Sequence, residues 1–544
     1  MRALHELWRL SLLGLMVAAL LSAGGCPNDD DDVSGDDDTG DDDTGDDDTG
    51  DDDATPEDAC DDTPNLSAVD DTVCAQDAAC TLAEVALSTY QGYALAGGGD
   101  FDGDGLEDLV SGASGWTTID KEGRALLYTA ASFAKQVVAP VAYLEGADPL
   151  EKAGYSVAFA PDMDGDGLDE LLVGARSDND GGQAAGAVYV VHGQALTGTP
   201  TAPQSLMPDA AIRGEVDWGH VGTSVSGVRD ATGDGRGEAA LGFDLFTESG
   251  GFEFAGDGKV GVFFGQSGGL SGELTTGDAD VVLEGPVAAG HVGYCLDGDG
   301  DVTGDGLGDL LIGAPSAETA RGVLHIVTGP SLQTPGTYPI GELAVDYVGT
   351  DTSEHLGDAV GHLGDVDGDG IGDMAVGSPD SDLTWPDGGK VTVLRGSLDI
   401  DTGAVPEVLA EIGSEWDDFK LGGFTFSSYG GGPSNAAGVV GGDLDGDGLG
   451  DLVAGAVQAY IGPIMRGGRT YVFYGRTEGW DLLLDASMAD GGIAGVSPDD
   501  YLGAGIATSD LDGDGIDELI VGAPYRDEAG GDSGAVYLFW GPTR

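Results

Sequence analysis

Seven times along the chain, oxygen-bearing side chains recur in a nine-residue phrase whose spacing suits the capture of a hard cation. The phrase begins at Asp100, Asp162, Asp230, Asp301, Asp365, Asp443 and Asp510. Its first, third, fifth and ninth positions are Asp100, Asp102, Asp104 and Asp108 in the first copy, and Asp162, Asp164, Asp166 and Glu170 in the second. They are Asp230, Thr232, Asp234 and Glu238 in the third, and Asp301, Thr303, Asp305 and Asp309 in the fourth. The remaining copies give Asp365, Asp367, Asp369 and Asp373, then Asp443, Asp445, Asp447 and Asp451, then Asp510, Asp512, Asp514 and Glu518. Glycine at positions four and six lets the backbone turn tightly around a centre. Alternating carboxylates with a backbone carbonyl at position seven suit Ca²⁺, which takes about six to eight oxygens at about 2.3–2.6 Å. Crowding these carboxylates together without a cation costs on the order of several kcal/mol per loop. Thr232 and Thr303 lower the ligand charge, so those two sites are expected to be weaker than the other five. The alternative is a metal-free turn held by Asx hydrogen bonds.

The first half of the phrase also fits an EF-hand, which needs Glu at position twelve and a helix beyond it. Position twelve here is Ser111, Val173, Leu241, Ile312, Val376, Ala454 or Val521, and apolar strand-like residues surround it. EF-hand and dockerin readings are excluded on this ground. Successive phrases start 62, 68, 71, 64, 78 and 67 residues apart. A small-residue strand such as Gly154 to Ala158 precedes the phrase, and an apolar run such as Leu310 to Pro315 follows it. Next comes an alternating strand closed by glycine, as in residues 186–193 or 534–541, and then a weaker fourth strand such as Ala142 to Glu145. Four short strands in each of seven repeats predict an all-β fold, a seven-bladed β-propeller of four-stranded blades.

These features resemble the FG-GAP repeat of the integrin α-subunit head, over about residues 81–544. The resemblance implies calcium loops in β-hairpins on one face of a seven-bladed propeller, and an opposite face that meets partners. Loops on that opposite face carry Phe252, Phe254, Trp385, Trp416, Tyr460 and Tyr525, the candidate contact residues. No adhesion motif of the DxSxS type is found. The last alternating strand ends close to Arg544, so ring closure is expected to use Thr81 to Leu87 as the outer strand of the last blade.

The rest of the sequence bounds where such a propeller works. A net charge of −79, from 99 acidic and 20 basic residues, excludes nucleic acid as a partner. Residues 1–25 have the layout of an export signal: Arg2 and Arg9, an apolar stretch from Leu10 to Leu21, then small residues. Cys26 directly after them resembles a bacterial lipobox, which implies lipidation of Cys26 and anchoring at the bacterial cell envelope, on the cell surface; Ala23 stands where lipoboxes usually have Leu. An ordinary signal with an incidental cysteine is the alternative. Residues 29–62 hold 20 acids and no Lys or Arg, so 26–59 reads as a disordered acidic tether. Residues 60–80 form a cysteine-containing transition, where one pair among Cys60, Cys74 and Cys80 is expected to be bonded, and 81–544 the propeller. Cys295 aligns with an apolar repeat position, Val225 in its neighbour, and is expected to be a buried free thiol.

Enzyme signatures such as HExxH, a P-loop or CxxC are absent, and no GxSxG turn is read as a nucleophile elbow. His220, His291 and His355 fall at equivalent repeat positions, which points to packing. The expected function is a non-catalytic, Ca²⁺-binding surface lipoprotein whose propeller binds an extracellular protein or glycan. A structural envelope scaffold is the alternative, and a hydrolase or lyase using dispersed acids a more distant one.

Overall fold

The computed structural model describes residues 72–74, 80–82, 90–115, 122–133, 139–148, 150–198, 202–243, 257–286, 290–384, 388–414, 438–461, 464–480, 483–526 and 533–541. All lie in the unit Ala54–Arg544. The signal, Cys26, the tether, Cys60, Phe252, Phe254, Trp385 and Trp416 lie outside the described residues.

Each repeat forms an antiparallel meander. In the second, Ala153–Ala160 pairs with Glu170–Ala175, that strand with Ala187–Val191, and that in turn with Ala210–Arg213. The first repeat uses Leu95–Gly99, Asp108–Ala113, Arg124–Tyr128 and Ala142–Glu145 in the same order. The last uses Ile506–Ser509, Glu518–Ala523 and Ala535–Phe539. Second strands are buried throughout, and strand alternation sends neighbouring side chains to opposite faces. Leu109 and Leu126 pack with Ile520 and Val536 of the last repeat, whereas Val110 and Leu127 pack with Val157 and Val173 of the second. Each side chain so buried contributes about 1.5–3 kcal/mol. The meanders therefore hold one another together through shared apolar layers.

One glycine explains how closely they approach. The third strand is preceded by Gly123, Gly186, Gly258, Gly322, Gly389, Gly468 or Gly534, all with positive φ. At Gly186 a Cβ would lie 2.2 Å from the Val221 carbonyl oxygen of the next repeat. The same bridge joins the ends of the series, Gln91 to Gly534. A cavity of about 500 Å³ is lined by inner-strand residues from every repeat, including Ala96, Ala158, Ser226, Leu296, Val360, Val440 and Ala507. This all-β arrangement of mutually packed sheets around a shared cavity fits a β-propeller.

The outer strand of the last repeat comes from the other end of the chain, as expected. Cys80–Leu82 pairs antiparallel with Ala535–Phe539, matching Thr81 to Tyr537; residues 83–89 lie outside the described residues. The sheets also exceed the four strands expected. The connection between third and fourth strands of one repeat lays a short parallel strand on the outer edge of the preceding one, as Gln204–Ser205, Gly272–Thr275, Gly336–Pro339 and Leu483–Asp485 do. Thr72–Cys74 does the same on Gly491–Ala494. Thr72–Cys74 and Cys80–Leu82 thus supply the permuted remainder of the last repeat.

Cys295 is a buried free thiol, but its expected alignment with Val225 is one residue out. Its Sγ lies 3.2 Å from the Gly357 carbonyl oxygen, as Ser224 Oγ donates to Gly293 and Ser156 Oγ to Gly222. Cys295 therefore occupies the place of Ser224. Counting from the conserved-spacing glycines Gly222 and Gly293, not from apolarity, gives this alignment.

Candidate metal centres

The acidic phrase is the hairpin between the first and second strands of each repeat. Its ninth residue is the first of the second strand in every copy, at Asp108, Glu170, Glu238, Asp309, Asp373, Asp451 and Glu518. The sheet therefore fixes this carboxylate, and a strand follows where an EF-hand would have a helix. In each copy it accepts the backbone N–H of position two, as Asp108 does from Phe101 at 3.1 Å and Asp373 from Val366 at 3.0 Å. When it is Asp, its other oxygen takes an N–H beyond the third strand, such as Gly396 or Gly475. When it is Glu170, Oε1 is buried and has no hydrogen-bond partner.

Position one closes the turn. Asp100 accepts the N–H groups of Gly103 at 2.8 Å and Gly105 at 3.0 Å, and Asp365 those of Gly368 and Gly370. Those glycines have φ between 79° and 90°, a region costly for residues with a Cβ. Among the described residues, carboxylate oxygens come within 4.8 Å of one another in five loops. The sets are Asp100, Asp102, Asp108; Asp365, Asp367, Asp373; Asp443, Asp445, Asp451; Asp162, Asp164, Asp166; and Asp510, Asp512, Asp514. Position nine joins positions one and three when it is Asp, and position five takes its place when it is Glu. Asp104, Asp369, Asp447, Glu170 and Glu518 stand in the same loops but outside these sets. Neither threonine loop forms such a set; Thr303 Oγ1 bonds Asp301 at 3.2 Å, and Arg236 pairs with Asp234 at 3.1 Å.

Burial pushes the position-nine carboxyls up. Asp108, Glu170 and Glu518 rise to about 8, Glu238, Asp373 and Asp451 to about 7, and Asp309 to about 6. Loop carboxylates nearby add to the rise at Asp108, where Asp102 is the second cause. Desolvated carboxylates in contact hold protons or recruit a cation. Hard oxygen donors, an orphaned buried oxygen at Glu170 and converging carboxylates together fit a divalent cation such as Ca²⁺.

Position eight was not singled out in the sequence. Asp169 Oδ2 accepts the N–H of Asp100 in the preceding loop, Asp517 Oδ2 that of Asp443, and Glu107 Oε2 that of Asp510. The last pair ties the first repeat to the last. Their spacing, one residue before the position-nine acid in only three copies, was the available signal.

Tyr460 and Tyr525 lie on the connections opposite the hairpins. Tyr460 is exposed, while Tyr525 packs edgewise on Tyr90 at 5.1 Å and against Tyr501 at 5.0 Å. Tyr90 and Tyr501 were not expected there. They share a left-handed corner with Lys152, His220, His291 and His355, two residues before a positive-φ glycine. That corner explains the histidines by repeat geometry. Directly after those glycines come Tyr93, Tyr155, Tyr294 and Asp358; burial first, then this neighbourhood, pushes the Tyr93 and Tyr294 hydroxyls well above their usual range.

Comparison with known proteins agrees with this geometry. The FG-GAP repeat family matches residues 91–128, 153–191 and 502–539. Integrin alpha-IIb of Mus musculus is 32% identical over 237 residues, which cover 42% of this chain and 20% of that protein. Integrin alpha-PS5 of Drosophila melanogaster is 31% identical over 232 residues, 42% and 21% of the two chains. Integrin alpha pat-2 of Caenorhabditis briggsae is 27% identical over 272 residues, 48% and 20%. The chain thus carries FG-GAP repeats at these three places and is similar to integrin alpha subunits. It spans about a fifth of the length of the curated relatives it matches. Among the described residues, no helix is long and apolar enough to cross a membrane.

Proposed function

We propose that this chain is a non-catalytic, calcium-stabilised propeller of seven blades that binds an extracellular protein or glycan by the face opposite its metal loops. The observation that carries the reading is the division of labour along every meander. Acidic hairpins stand at one end of the strands, and the aromatic group of Tyr90, Tyr501 and Tyr525 stands on connections at the other. Similarity to integrin alpha subunits supports adhesion or ligand binding as the task. Seven calcium sites are proposed, five strong and two weakened by Thr232 and Thr303. The carboxylates are committed to backbone N–H groups and to one another, which favours a structural metal over catalysis.

The test is binding of the purified protein to arrays of matrix proteins and glycans. Tyr460→Ala and Tyr525→Ala are expected to weaken a bound ligand about tenfold or more, as truncating aromatic anchors does. A ligand whose affinity both variants leave unchanged would place contact elsewhere and sink this face as the site. Export and a lipid on Cys26 complete the proposal. Cys26→Ser is expected to move the protein from the membrane fraction to the soluble one, and an unchanged distribution would exclude the anchor.

A further inference from the structure

The five loops with four carboxylates look equivalent in sequence, but one of them faces a fixed cation. Arg395 is the residue before Gly396, whose N–H is bound by Asp373 Oδ1 in the same loop. Its guanidinium Nη2 lies 2.5 Å from Asp367 Oδ2, and its Nη1 lies 3.6 Å from Asp369 Oδ2. Asp367 is position three, its side chain only 6% exposed beneath the guanidinium. It also belongs to the converging set with Asp365 and Asp373.

The same strand position in the other full loops holds Thr129, His192, Tyr474 and Trp540. This is a place where the third strand reaches its own loop: His192 Nδ1 stands 3.8 Å from Asp164, also a position-three acid. Only at residue 395 among these five is the side chain a permanent cation.

We propose that Arg395 is a built-in counter-ion for this loop, engaging Asp367 where metal would, so that the loop is the last of the five to fill with calcium. The inference rests on the calcium reading above. Metal must displace the guanidinium from a carboxylate oxygen, and the displaced positive charge stays tethered beside the site. Both effects lower affinity without changing any of the four acidic residues. In the absence of metal, Arg395 neutralises part of the loop's charge, so this hairpin tolerates calcium loss better than its neighbours.

The experiment is equilibrium dialysis of the full chain against buffered free calcium, with bound metal counted per chain. The wild type is expected to show one four-carboxylate site filling at about tenfold higher calcium than the other four, a separation typical of one added charge at this range. Arg395→Gln should move that step to join the others. Arg395→Lys should keep it, and Asp369→Asn should remove it, assigning the step to this loop. Arg124→Gln removes an equal charge where Arg124 pairs with Glu145, away from the loops, and should leave the curve in place. If Arg395→Gln does not fold well, its melting temperature in saturating calcium gives the second reading, because the metal-loaded variant is expected to match the wild type. A binding curve for Arg395→Gln that superimposes on that of the wild type overturns the counter-ion role while leaving calcium binding intact. Absence of bound calcium in every variant overturns the calcium reading and this inference with it.

Discussion

Chelating calcium at neutral pH is expected to lower the melting temperature by about 10–20 °C. A ligand at roughly a thousand times its dissociation constant contributes about 4 kcal/mol per site, and several sites act together on a chain whose unfolding entropy is about 2 cal/mol/K per residue. The cause is local. Asp108, Glu170, Asp373, Asp451 and Glu518 are buried at the start of a strand and crowded by the acids of their own hairpin. In EDTA these groups also set the sign of the pH dependence. Their folded-state values are raised to about 7 or 8, whereas unfolded carboxyls titrate near about 4. The folded chain therefore holds protons that the unfolded chain has released. Their contribution is fully present below the unfolded value and is lost as pH rises through the folded value. Chelated protein should thus melt progressively lower from about pH 5 to about pH 8, and saturating calcium should flatten that slope. Calorimetry with and without EDTA, alongside metal counting, checks all of this. A melting temperature indifferent to EDTA at pH 8, with no bound ion, would reduce the hairpins to metal-free turns.

The parts of this site that repeat were legible in the sequence, and the parts that occur once were not. Seven in-phase copies of Asp-x-Asp/Thr-x-Asp exposed the period, and Val173 or Ile312 at position twelve placed a strand after the loop. Residues 187–191, expected as an alternating strand, are in fact buried on both faces, so strand length and β-branched content were the signals that marked them. Gln204–Ser205 and Gly336–Pro339 escaped notice because they are short, partly exposed and carry no run of apolar residues. Glu107, Asp169 and Asp517 were hidden by lying beside acids already assigned to metal, although their hydrogen bonds run to the neighbouring loop. Arg395 lies 22 residues beyond Asp373, and no pattern within the loop announces it. Its effect requires the third strand to return past the hairpin, which only the folded meander shows. The slip at Cys295 has the same origin: matching by apolarity ignored the hydrogen bond to Gly357, which specifies a small donor such as Ser or Cys.

The other large effect concerns how the series of repeats is closed. A chain beginning at residue 90 should lose protection from hydrogen exchange in Ala535–Phe539 by about 100-fold or more, whereas one beginning at residue 72 should keep it. In the intact protein Cys80, Thr81 and Leu82 pair with Leu538, Tyr537 and Val536. Removing that strand leaves the edge of Ala535–Phe539 unpaired, with Val536 and Leu538 still buried against Leu109 and Leu126 of the first repeat. Losing the edge hydrogen bonds, each worth about 1 kcal/mol net, weakens the sheet where the two ends of the chain meet. The same deletion removes Thr72–Cys74 from the edge of Gly491–Ala494, so protection should fall there too. The bonds that the Asp510 N–H donates to Glu107 and the Gly98 N–H donates to Ser509 remain, and they confine the damage to the outer strands. Moving residues 72–89 through a flexible linker to follow Arg544 should restore exchange protection, because the segment completes the last repeat from either end of the chain. Protection unaltered by the deletion, or unrescued by the permutation while the protein stays folded, would mean that the packing of Leu109, Leu126, Ile520 and Val536 closes the series without the strand.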